Sequence, residues 1–132
     1  MKFIDKIAFI CLRNKKALCT LSKGKDTFYI PGGKREAGES DIATLVREVK
    51  EELSVDIIPG TAKLYGVFLA QAHGEPAGVM VQATCYTADF TSEIKANSEI
   101  AEAAWLDSSD MGRIGPVAVA IFNDLKAKNL LN

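Results

Sequence analysis

The chain reads as an α/β protein in the broad α+β sense: strands, a helix, more strands and a second helix, closing as two helices packed on a mixed β-sheet. Three observations predict this. Short β-branched and aromatic runs fill the first quarter and the middle of the sequence, an apolar period of three and four residues replaces them from Ile42, and a second such period follows Pro116. With 132 residues, 48% of them hydrophobic, there is material for one core, so residues 1–132 are expected to form a single domain.

Lys6 to Leu12 is an apolar run too short for a typical helix, and Asn14-Lys15-Lys16 reads as a turn into Ala17 to Leu21, so the two are expected to form a hairpin. Ser22 to Asp26 is a polar loop containing Gly24. Thr27 to Ile30 is a short strand that ends at Pro31-Gly32-Gly33. Ile42, Leu45, Val46, Val49 and Leu53 make one helical stripe, with Ser40 placed as N-cap and Asp41 in the first turn. That helix should stop near Leu53 or Ser54, because Val55 to Ile58 is β-branched and Pro59-Gly60 signals a turn. Lys63 to Ala72 and Gly78 to Phe90 read as paired strands around the loop from His73 to Ala77. A strand around Ala103 to Leu106 and a loop from Ser108 to Gly115 lead to the last helix. Pro116 opens it, and Val117, Ala118, Ile121, Phe122 and Leu125 form its buried face.

Composition narrows the function classes. Lysine plus arginine number 16 against 17 acids, a formal net charge of -1, so no basic excess attracts a DNA or RNA polymer. The longest apolar stretches fall far short of the roughly 20 residues that cross a bilayer, and the run after Lys2 is broken by Asp5, Lys6 and Arg13. No membrane contact and no export signal are expected. Cys11, Cys19 and Cys85 are odd in number, lack CxxC spacing and sit among apolar residues, which reads as buried reduced thiols and a cytoplasmic setting.

The stretch that carries chemistry runs from Gly33 to Val55. A glycine-rich loop with Glu39 precedes the helix, and within the helix Glu48 lies three residues from Glu51 and four from Glu52. The three carboxylates therefore project from overlapping parts of one face, expected to lie opposite the apolar stripe. Like charges at these spacings repel by a few tenths of a kcal/mol per pair, roughly. Either solvent with nearby cations such as Arg47 and Lys50, or a bound divalent metal, can offset that cost. Hard carboxylate oxygens suit magnesium or manganese over zinc.

What distinguishes this helix from an ordinary acidic surface is the fixed pattern around it. Gly33, Glu39, Arg47, Glu48, Glu51 and Glu52 are in register with G-x5-E-x7-R-E-U-x-E-E-x-G-U, where U is aliphatic, and the sequence thereby resembles the Nudix hydrolases, including MutT-like members. With each residue type at roughly 5 to 7% of an average protein, chance agreement is on the order of one in 100,000. The one departure is Ser54 in place of the second glycine. It bears on how the helix ends, since a glycine there usually supplies a left-handed backbone that serine adopts less readily.

The resemblance implies an α/β/α sandwich, a mixed sheet with helices on both faces. It further implies attack of water on a phosphorus of a diphosphate linkage, with Mg2+ as cofactor and Mn2+ as an alternative. It carries a catalytic set onto Glu48, Arg47, Glu51 and Glu52. Gly33, through its carbonyl, joins Glu48, Glu51 and Glu52 as a metal ligand, and Glu48 doubles as a candidate base. Arg47 is suited to orient a carboxylate at two points. Glu39 and Glu99 fall into supporting positions, with Glu102 as competitor to Glu99, and Lys34 can approach a substrate phosphate or simply be solvated. His73, in a loop, reads more readily as a surface residue than as a catalytic one, and Phe28, Tyr29 and Trp105 are weak candidates for stacking on a base. The expected partner is a small nucleotide-like molecule: a nucleoside diphosphate derivative or nucleoside triphosphate, oxidised purine nucleotides among them. The expected assembly is a monomer or homodimer. Two other readings stand beside this one: a non-catalytic domain that senses a nucleotide or sugar nucleotide, and an isomerase acting on an isoprenoid diphosphate.

Overall fold

A computed structural model describes residues 2–132. The first strand, β1 (Lys2–Phe9), is apolar on both faces near its end, and such a strand belongs in the middle of a sheet. Ile7 and Phe9 enter one core while Ala8 and the following Ile10 enter another. Two short strands follow, β2 (Leu12–Arg13) and β3 (Lys16–Ser22), joined by a turn in which Asn14 and Lys15 both have positive φ. The predicted hairpin is therefore confined to the residues next to the turn, where Leu12 and Arg13 pair with Ala17 and Lys16 and the Leu18 N–H donates to the Cys11 carbonyl at 2.9 Å. The Lys6 to Phe9 part does not pair with β3, because its edges are taken by residues 79–86 and by Gly32 and Gly33.

After β4 (Phe28–Tyr29), Pro31-Gly32-Gly33 does not merely end a strand: Gly32 and Gly33 form β5 and pair antiparallel with β1, Ile7 opposite Gly33 and Ala8 opposite Gly32. Helix α1 (Asp41–Leu53) begins as expected, with the Ser40 hydroxyl accepting from the Ala43 N–H at 3.1 Å, a cap that stabilises by about 1 kcal/mol. Its stripe residues Leu45, Val49 and Leu53 are wholly buried, each contributing roughly 1.5–3 kcal/mol. Ser54 ends it in the left-handed conformation, φ 62 and ψ 18.

The remaining elements are β6 (Asp56–Ile57), β7 (Lys63–Gln71), β8 (Val79–Thr87), β9 (Phe90–Thr91), β10 (Ile100–Leu106) and α2 (Pro116–Ala127). β7 and β8 pair antiparallel, as read from the sequence, and β8 continues in parallel register onto β1. One mixed sheet thus runs β5-β1-β8-β7. A second runs β10-β3-β2 with β4 against β3, and β6 pairs with β9 in a small ribbon, so Phe90 belongs to its own strand and not to the end of β8.

Ile7, Phe9 and Leu18 pack under α1, whereas Ala8, Ala17, Cys19, Ala83 and Cys85 pack under Ala118, Ile121, Phe122 and Leu125 of α2. Alternate strand residues thus face different helices, which is the α/β/α sandwich. All three cysteines are buried and free. Among the described residues no helix is long and apolar enough to cross a membrane.

Candidate functional site

The glycine pair of β5 brings the backbone against α1. A Cβ added at Gly33 would stand 2.4 Å from the Glu48 carboxyl carbon, and one at Gly32 would stand 2.0 Å from the Ile7 carbonyl oxygen. Gly32 also has φ +142, a conformation that L side chains rarely adopt. Gly33 thus leaves the space in which the Glu48 carboxylate sits, whereas Gly32 is required for both space and backbone.

Arg47 is the hub of the site. Its Nε and Nη2 donate to the two oxygens of Glu39 at 2.7 and 2.8 Å, Nη1 donates to Glu48 at 2.9 Å and to Glu51 at 3.5 Å, and Nη2 also reaches the Lys34 carbonyl at 3.0 Å. The planar guanidinium therefore ties the loop to the helix and spaces two of the carboxylates, as expected of a bidentate arginine. Glu39 further accepts from the Glu36 N–H at 2.8 Å and from the Thr44 hydroxyl at 3.0 Å. The Arg47 hydrogen bonds, followed by that N–H, hold its carboxyl down at about 2. Thr44, wholly buried on α1, is a supporting residue that sequence reasoning missed, since a threonine in a helix carries no signal of its own.

The three helix carboxylates occupy three environments. Glu51 is half exposed and Glu48 is largely covered. Glu52, expected on a face opposite the apolar stripe, is instead buried at 6% exposure and accepts from the Gly32 N–H at 3.3 Å. The correction has a simple cause: β5 folds back over this turn of α1 and covers it. Burial pushes the Glu52 carboxyl up to about 8, against the Gly32 N–H and with help from the Glu48 and Glu99 charges. Burial also raises Glu48, opposed by Arg47.

Among the described residues no three acidic, histidine or cysteine side chains already converge as a closed metal cage. The donor chemistry nevertheless fits a hard divalent cation: mutually repelling carboxylates with all-oxygen donors form an open set, and magnesium characteristically fills the rest of its shell with water and phosphate.

Glu52 and Glu99 share the wall of a cavity of about 430 Å³ with Lys6 and Lys34. Of the two candidates in that region Glu99 is the one brought to the site; Glu102 lies on an exposed groove with Trp105 and Arg13. Tyr29 and His73 also line the cavity, their rings 6.0 Å apart and edge-to-face. His73 is therefore on the cavity wall and not merely on a surface loop. Phe28 is core, and Trp105 lies under the Arg13 guanidinium at 4.6 Å, away from the cavity. Lys6 was also missed, because a lysine in a strand gives no sign of which way it faces. Burial lowers its pKa, with the neighbouring Lys34 charge acting in the same direction.

Comparison with known proteins bears on the family and the fold. The NUDIX domain model matches residues 5–124. An ADP-ribose pyrophosphatase of Methanocaldococcus jannaschii is 30% identical over 90 residues, 68% of this chain and 52% of that protein, so the match spans about half the length of that relative. An uncharacterised Nudix hydrolase, YvcI of Bacillus subtilis, is 24% identical over 112 residues, 84% of this chain and 71% of the relative. Among solved structures, the E. coli ORF135 protein superposes with a TM-score of 0.75 at 23% identity, covering 98% of this chain and 92% of that one. The MutT protein of Methanosarcina mazei does so with 0.75 at 19%, covering 97% and 96%. At these identities the structural likeness speaks for the fold.

Proposed function

The chain belongs to the Nudix family, and from that premise we propose that it is a magnesium-dependent hydrolase of a diphosphate linkage in a nucleoside diphosphate derivative or nucleoside triphosphate, with oxidised purine nucleotides in its range. The observation that carries the reading is the Arg47 hub: one guanidinium holds Glu39, Glu48 and Glu51 beside a cavity whose wall contains Glu52 and Glu99.

Glu48, Glu51, Glu52 and the Gly33 carbonyl are the groups that would hold the metal. When bound, magnesium neutralises phosphoryl charge and eases deprotonation of water, which lessens the need for a strong side-chain base. Glu48 is the candidate base, Arg47 and Glu39 keep the carboxylates in place, and Glu99 adds negative charge at the cavity wall. Lys34 faces the phosphates. Tyr29 offers an aromatic edge and His73 a polar one to the remainder of the substrate.

The test is phosphate or nucleotide release from a panel of nucleoside triphosphates (8-oxo-dGTP included), ADP-ribose, dinucleoside polyphosphates and sugar nucleotides, with magnesium, manganese or EDTA, comparing wild type with Glu51→Gln. Metal-dependent turnover that drops at least about a hundredfold in the variant supports the proposal. Tight binding of a panel member with no turnover would instead point to a nucleotide sensor.

A further inference from the structure

We propose that Lys6 and Lys34 together form a phosphate-gripping pair, with Lys6, which no position of the motif specifies, as its inner member. The identity of the ligand rests on the diphosphate reading above; the site itself is argued from geometry.

The β1–β5 register sets Ile7 opposite Gly33 and Ala8 opposite Gly32. One step further along the same antiparallel register brings Lys34 opposite Lys6, and the next brings Arg35 opposite Asp5. The paired residues end at Gly33, and the Arg35–Asp5 ion pair keeps the two segments adjacent beyond that point. Two lysines therefore face each other across neighbouring segments, and both line the cavity. Like charges placed directly opposite are destabilising in a sheet. Asp5 and Arg35, one step on, have opposite charges and pair; Lys6 and Lys34 do not.

Among the described residues neither lysine has a carboxylate within ion-pair distance, whereas Lys16, Arg35, Arg47, Lys50, Arg113 and Lys128 do, and Lys15 and Arg13 are engaged by a hydrogen bond and a ring contact. The burial around Lys6 sharpens the point. Lys6 is partly buried on a strand whose next residues are core, where an ammonium stripped of water and left unpaired is costly. The groups that face it are Lys34, whose charge opposes its own, and Glu52 and Glu48, whose charges favour it without closing a salt bridge. Glu99 lines the same cavity. Two unpaired ammonium groups on one cavity wall, beside carboxylates suited to a divalent cation, match a diphosphate, whose oxygens would accept from both lysines while the carboxylates would hold a cation that neutralises its remaining charge.

The full chain is titrated calorimetrically with inorganic pyrophosphate, once in EDTA and once with magnesium, as wild type, Lys6→Met, Lys34→Met and Lys6→Arg, with thermal melts confirming that each is folded. Wild type should bind in at least one condition, each methionine variant should weaken that binding about tenfold, and Lys6→Arg should stay within about threefold of wild type. On any hydrolysed panel substrate, Lys6→Met should raise KM more than it lowers kcat. Wild-type indifference to pyrophosphate in both conditions overturns the pair, and so does an unchanged affinity in Lys6→Met. A wild type that hydrolyses nothing yet binds pyrophosphate through both lysines leaves the pair standing while the hydrolase reading fails.

Discussion

Replacing Ser54 separates what its backbone does from what its side chain does. Ser54 closes α1 at φ 62 and ψ 18, its N–H donating to the Lys50 carbonyl at 3.1 Å, while its hydroxyl donates to the Lys95 carbonyl at 3.1 Å. The same loop is tied to the helix end by the Lys95 N–H on the Leu53 carbonyl at 2.8 Å and the Asn97 N–H on the Glu52 carbonyl at 3.0 Å. Ser54→Ala keeps the left-handed backbone and removes one partly exposed hydrogen bond, a cost of about 0.5–1 kcal/mol. Ser54→Gly removes the same bond but relieves a left-handed strain of about 1–2 kcal/mol, offset by the greater chain entropy of glycine at about 0.5–1 kcal/mol. Glycine should therefore be more stable than alanine by about 1 kcal/mol, with wild type between them or level with glycine. For a chain of this length the entropy of unfolding near the midpoint is about 0.28 kcal/mol/K, so that difference is worth about 3–4 °C in Tm. Urea denaturation and calorimetry of the three proteins measure it. An alanine variant as stable as the glycine variant would refute the strain argument, because nothing else distinguishes the two at this position.

The two β5 glycines should fail differently. Gly32→Ala drives a Cβ into the Ile7 backbone at a forbidden φ and should lose roughly 3 kcal/mol or more in denaturation, whereas Gly33→Ala meets only the movable end of Glu48 and should melt within a few degrees of wild type. The same Gly33 variant should lose at least about tenfold in kcat through the displaced carboxylate, so equal melting points for the two variants would contradict the assignment. The thiols are a second test: burial raises Cys11 to about 11 and both Cys19 and Cys85 to about 12, so native protein at pH 8 should resist alkylation at all three until it is denatured. Rapid labelling of native protein would count against this. Finally, Glu39 is held near 2 by Arg47, below the ordinary carboxylate value, so its contribution to stability is present above that ordinary value and fades as pH falls towards 2. Glu39→Gln should therefore lie below wild type at pH 7 and converge with it near pH 2 in an acid-denaturation series; a constant gap across the series would rule the linkage out.

The sequence by itself determined the local structure and the chemistry of the signature. The stripe from Leu45 to Leu53, the Ser40 cap and the Pro116 start of α2 are local patterns whose physical cause is contained within a few residues, and each lies where the periodicity places it. The order of carboxylates along α1 is equally local, since helix pitch places residues three and four apart side by side. Tertiary structure alone decided which of those carboxylates is buried. Glu48, Glu51 and Glu52 look alike in sequence, but β5 returns across α1 and covers Glu52 while leaving Glu51 half exposed. It also decided that β1 pairs with β8, far along the chain, and not with its neighbour β3, a choice of strand edges that no local pattern in either strand encodes. The choice of Glu99 over Glu102, the position of His73 at the cavity wall and the meeting of Lys6 with Lys34 follow from those same long-range pairings. Strand pairing joins residues by register, and register is set by which faces the whole core must cover.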